Sequence, residues 1–137
     1  MASSCTLHDP DSPHTWLGKA DEDRRAARGL LDLSPPAVGP ACFHIQQAIE
    51  KALKALVVAK KLPMPLTHNI SHLIEHLQPE PTLDRLRAKL ALTTEYAVQL
   101  RYPGATTPDS QEVQASLAAM QELFEWVQQQ IDSPPSA

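Results

Sequence analysis

The sequence predicts an all-α fold, an up-and-down antiparallel helical bundle of four long helices plus one short helix. Three observations carry this expectation. The 13 prolines fall in clusters, at 10 and 13, 35–36 and 40, 63 and 65, 79 and 81, 103 and 108, and 134–135. Proline removes a helix hydrogen bond and clashes with the preceding turn, so such clusters mark boundaries and leave five segments between them. Within the segments apolar residues recur every three or four positions, and none alternates with period two. Aromatic residues make up only 4% of the chain, thin for a β-sandwich and sufficient for helices.

The first segment runs from about Pro13 to Asp32, with Ser12 placed to cap it and Pro13 at its first position. Trp16, Ala20, Ala27, Leu30 and Leu31 share its apolar stripe. The second runs from Pro40 or Ala41 to about Lys61 and gathers Cys42, Ile45, Ile49, Ala52, Leu53 and Leu56 on one side. The third is short, about Thr67 to Leu77, with Ile70, Leu73, Ile74 and Leu77 in line. The fourth starts after Thr82 and carries Leu83, Leu86, Leu90, Ala97 and Leu100. The fifth starts near Pro108, and its apolar residues Val113, Leu117, Met120, Phe124, Val127 and Ile131 step by 4, 3, 4, 3, 4. Short connections favour antiparallel neighbours.

At 137 residues the chain is expected to form one domain over residues 12–132, with mobile tails at 1–11 and 133–137. Two cysteines, Cys5 and Cys42, make no disulfide framework. The N-terminus shows neither the basic start nor the apolar stretch of a signal peptide, and the longest apolar run, Ala55 to Ala59, is far short of a membrane span. A cytoplasmic protein with no membrane partner is expected. The net charge of −4 is unevenly placed: residues 1–40 carry −2, residues 41–101 carry +3, and residues 102–137 carry −5 without a lysine or arginine. A nucleic-acid binder over the whole surface is disfavoured, whereas a basic face in the middle third survives.

Several residues could carry function. His68, His72 and His76 recur every four residues on the side opposite the third apolar stripe, so they are expected to face solvent or a partner rather than a native metal. The second segment has a polar side with Gln46, Gln47, Glu50, Lys51 and Lys54, and Phe43 and Val57 sit among these. Such a helix is contacted on both sides, either by two neighbours in one bundle or across a homodimer interface. The latter makes Phe43, His44, Gln47, Glu50 and Val57 the expected dimer or partner face. Arg101 and Tyr102 close the fourth segment before Pro103 and Gly104. Arg101 either binds the free terminal carbonyls or offers its fork to a phosphate. Among the four scattered glycines there is no phosphate loop; no GxSxG occurs, neither cysteine has a defined histidine partner, and no cofactor or metal is expected.

The run Ala41-Cys42-Phe43-His44-Ile45-Gln46-Gln47-Ala48-Ile49-Glu50-Lys51-Ala52-Leu53-Lys54-Ala55 closely resembles the second-helix signature of HEPN domains (higher eukaryotes and prokaryotes nucleotide-binding). Thr67-His68-Asn69-Ile70, Tyr96 with Arg101-Tyr102-Pro103-Gly104, and the early Trp16-Leu17 with Ala20 resemble further blocks in the same order, spanning about residues 15 to 132.

The resemblance implies a helical bundle that commonly dimerises and binds nucleotide or RNA. It also implies a prokaryotic setting in which such proteins are often paired with a minimal nucleotidyltransferase protein as toxin and antitoxin. Many members are metal-independent ribonucleases in which an arginine is followed, four to six residues on, by a histidine. Here those positions after Arg101 hold Thr106, Thr107 and Pro108, and no histidine follows His76. The motif is broken. The reading that results is a non-catalytic nucleotide- or RNA-binding module, a homodimer with a nucleotidyltransferase partner, using Arg101, Tyr102, Lys51 and Lys54 for nucleotide phosphate. The alternatives are a metal-independent ribonuclease with a rearranged site around Arg101, and a purely structural helical adaptor.

Overall fold

A computed structural model describes residues 12–100, 102–104 and 107–133. The expected tail at 1–11, all but Ser133 of the expected tail at 133–137, and Arg101, Ala105 and Thr106 lie outside the described residues. Five helices follow in order: α1 Pro13–Leu31, α2 Val38–Ala59, α3 Ile70–His76, α4 Pro81–Gln99 and α5 Ser110–Asp132. Among the described residues there is no strand.

Local chemistry sets the ends. Ser12 accepts a hydrogen bond from the His14 amide and Pro13 takes the first helical position, where a missing N–H costs nothing. Asn69 caps α3 by accepting from the His72 amide at 3.0 Å. At α5, Asp109 accepts from the Glu112 amide at 2.8 Å, while the Glu112 carboxylate accepts from the Asp109 amide at 3.0 Å, a closed capping box. α2 begins at Val38, two residues before the expected Pro40. The amides of a first helical turn have no partner within the helix, so Pro40 there breaks no bond. Beyond Ala59 the Lys61 amide reaches the Val58 carbonyl and the Leu62 amide reaches back to Val57, with Lys61 left-handed at φ 58°. That pattern is a Schellman turn.

α2 is the central helix and touches each of the other four. Its Ile45, Ile49, Leu53 and Leu56 are buried against Leu73 and Ile74 of α3, Leu83, Leu86 and Leu90 of α4, and Met120, Leu123 and Val127 of α5. Ala20 and Ala27 of α1 let the α1 and α2 backbones lie close. A second, smaller apolar cluster holds Cys42, Tyr96 and Val113, with Leu31, Val38 and Leu100 against it. Val57, expected on an outward face, is fully buried inside the chain. The helix is covered on both sides by its own neighbours, and the Schellman turn folds the chain back at Val57. The two-neighbour account holds at that end of α2, and Val57 cannot belong to a dimer face.

The Tyr96 hydroxyl donates to Glu112 at 2.6 Å and so ties α4 to the α5 cap. That hydrogen bond, followed by desolvation and the carboxylate's charge, pushes the Tyr96 pKa up to about 12. An unfolded tyrosine ionises near pH 10. The folded state therefore holds its proton longer, so the contact's contribution is complete below about pH 10 and is lost as pH rises through about 12. Thermal melts between pH 8 and 11.5 are expected to show a steeper alkaline decline in the native protein than in Tyr96→Phe. Parallel curves would remove this contact as the cause.

Candidate functional site

The polar side of α2 faces α1 and the chain leading into α3, and two ion clusters are built there. The first forms on Asp23 of α1. One carboxylate oxygen lies 2.7 Å from His44 Nδ1 and the other 2.6 Å from Lys51 Nζ. The second forms on Glu50 of α2, whose Oε2 accepts from Lys54 Nζ at 2.9 Å and lies 2.7 Å from His68 Nδ1. Lys54 Nζ also sits 5.5 Å from the Trp16 ring centroid, within cation–π range. Asp23, Glu50 and Lys54 are all buried. Burying charge is costly unless it is paired, and here each carboxylate is matched by a lysine and braced by an imidazole.

This geometry corrects the expectation for Lys54. Its ammonium is committed to the Glu50 carboxylate and is buried, so it does not stand ready for a phosphate. Glu50 likewise lies inside the chain rather than on a dimer face. Lys51 is paired too, but its side chain remains partly open to solvent. The histidine row is also divided. α3 starts only at Ile70, because Asn69 caps it, so His68 lies in the preceding segment and turns to Glu50. His76 Nε2 meets the Pro63 carbonyl at 2.8 Å, and His72 is exposed. No group of three possible metal ligands exists among the described residues.

Each carboxylate-held imidazole can be oriented with its Nδ1 proton toward the acid, leaving Nε2 as the basic nitrogen. The His68 side chain is 86% exposed, so that nitrogen has access to solvent. Cys42, by contrast, is buried, and burial pushes its thiol up, away from nucleophilic chemistry.

Phe43 and Gln47 lie in the N-terminal half of α2, on either side of His44 of the Asp23 cluster. Phe43 is 39% exposed on a helix otherwise largely buried. Its ring stands edge-on to His44, with centroids 5.4 Å apart and planes at 78°. Gln47 lies one turn further on, half-buried, and donates to Gln46 Oε1 at 2.9 Å. The end of α4 abuts this turn, since a Cβ on Gly39 would lie 3.8 Å from the Leu100 side chain. Gly39 and Phe43 are neighbours on one helix face. Tyr102, 67% exposed, therefore follows α4 toward the end of the bundle that presents Phe43.

The HEPN domain model matches residues 14–130. The chain belongs to the HEPN domain family. Two crystal structures share the HEPN fold. ST0689, an archaeal HEPN homologue, is similar at 24% identity and a TM-score of 0.68, over 88% of this chain and 98% of that one. TT1696 from Thermus thermophilus is similar at 27% identity and a TM-score of 0.70, over 85% of this chain and 96% of that one. No curated protein matches this HEPN sequence.

Sequence reasoning missed Asp23 and the pairing of His68 with Glu50. A signal for Asp23 was present: Trp16, Ala20, Asp23 and Ala27 step by 4, 3, 4, which puts an acid inside an apolar stripe. A carboxylate so placed needs cationic partners, and α2 supplies two. No comparable signal announces the pairing of His68 with Glu50, 18 residues away, because its spacing with His72 and His76 puts it on the polar side of the third helical segment.

Proposed function

We infer that this HEPN domain is a non-catalytic nucleotide- or RNA-binding module that works as a homodimer beside a minimal nucleotidyltransferase, in a toxin–antitoxin-type pair. The observation that carries the binding is the strip Phe43, His44, Gln47 and Lys51, which runs from the second turn of α2 past its middle. It combines an exposed aromatic ring, near the end of the bundle where α4 finishes, with two polar side chains and, further along the helix, an ammonium still open to solvent. An aromatic face and a nearby cation are what a base and its phosphate require. Arg101 and Tyr102 follow α4 directly in the chain, and Arg101 is assigned to phosphate in this reading. The non-catalytic assignment rests on the missing histidine after Arg101, and the partner on the family resemblance.

Isothermal titration of the full chain with ATP and GTP tests the binding. Micromolar binding that weakens several-fold in both Phe43→Ala and Arg101→Ala is expected. No heat with either nucleotide at high micromolar protein would reject the reading. Size-exclusion chromatography with light scattering reads the homodimer in the same samples, and co-elution with a minimal nucleotidyltransferase from the same genome reads the partner.

A further inference from the structure

The Glu50 cluster lies outside the nucleotide strip, and it holds one histidine at the surface with a ring nitrogen to spare. The His68 side chain is 86% exposed, yet its Nδ1 is fixed 2.7 Å from the buried Glu50 carboxylate. The backbone beside it is braced as well: the Asn69 amide donates to Thr67 Oγ1 at 3.1 Å, and Asn69 in turn caps α3. A side chain so open to water normally keeps its rotamer freedom, and this one has given it up. The other described histidines lack the combination. His14 and His76 engage Nε2 itself, with Asp132 at 3.2 Å and with the Pro63 carbonyl at 2.8 Å. His44 is held by Asp23 through Nδ1, but its side chain is only 33% exposed and the Phe43 ring stands against it. His72 is exposed and pairs with no described carboxylate.

We propose that His68 is a phosphoryl acceptor, taking a phosphoryl group onto Nε2 from a donor of the phosphoramidate class. The Nε2 lone pair attacks phosphorus in line with the donor's P–N bond. That bond breaks, its electron pair goes to the donor nitrogen, already protonated, and the neutral amine leaves. The Nδ1 proton stays on the ring, which becomes positively charged. That charge develops 2.7 Å from the Glu50 carboxylate, so the attraction is stronger in the transition state than before it. Lys54 Nζ, 2.9 Å from the same oxygen, balances the carboxylate, and the incoming anion meets no unpaired negative charge. The open setting selects this chemistry over acyl transfer. An acyl group passes through a tetrahedral oxyanion that needs fixed donors around it, and a nitrogen this exposed has little around it. Loose phosphoryl transfer asks the acceptor only for an aligned, unobstructed lone pair.

Incubation of the full chain with potassium phosphoramidate at neutral pH tests it, read by intact mass and phosphorus NMR. His68 is expected to gain an acid-labile phosphoryl group on Nε2 about tenfold faster than His72, which is also exposed but lacks the carboxylate. His72→Gln is expected to leave the rate at His68 unchanged, and His68→Gln to abolish the fast phase. Glu50→Gln, compared on the folded fraction, is expected to slow His68 to the rate of His72. Equal rates at His68 and His72 in the intact chain, faster reaction at another described histidine, attachment at Nδ1, or a fast His68 that survives Glu50→Gln overturns the proposal. The comparison within the intact chain decides it even where Glu50→Gln does not fold.

Discussion

Glu50→Ala is expected to cost about 3–5 kcal/mol of folding stability, the loss that follows when one partner of a buried ion pair is removed. The reason lies in what remains. Lys54 stays buried beside the Trp16 ring with no carboxylate, and His68 loses the acceptor for its Nδ1. Gln46 loses the group that orients its amide. Glu50→Gln keeps the shape and an acceptor oxygen but not the charge, and is expected to cost less. Urea denaturation of the two variants beside the native chain separates these terms. If Glu50→Ala cost under about 1 kcal/mol, Lys54 would be reaching water instead, and the cluster would be an exposed pair of little weight.

Leu53→Ala is expected to destabilise by about 2–5 kcal/mol, the range for deleting a fully buried leucine, with an accompanying fall in melting temperature of about 10 °C. Leu53 has no solvent exposure and sits in the middle of α2, the helix every other helix packs on. Rigid helices on both sides limit collapse into the space left, so the cavity term adds to the lost transfer energy. Against a total stability of about 5–15 kcal/mol, a loss at the upper end leaves a marginal protein. Differential scanning calorimetry checks it. A shift of under about 2 °C would mean that α2 is not the central packing element.

The sequence by itself determined the number, order and rough ends of the helices. Helical hydrogen bonds join residues four apart, and caps act over two or three positions, so Ser12 before Pro13, Asp109 with Glu112, and the apolar steps from Val113 to Ile131 state their structure locally. It also carried the family, through the contiguous run from Ala41 to Ala55. Only the tertiary structure decided which side of α2 each polar residue meets. Periodicity tells that Glu50, Lys51, Lys54 and Val57 share a broad face. The rotation of α1 against α2 and the path of the chain after Ala59 then bury Glu50, Lys54 and Val57 and leave Phe43, Gln47 and Lys51 reachable. Asp23 with His44, and Glu50 with His68, are pairings 21 and 18 residues apart, set by helix docking rather than by spacing. Docking reflects the sum of all core contacts, and no short stretch of sequence contains that sum.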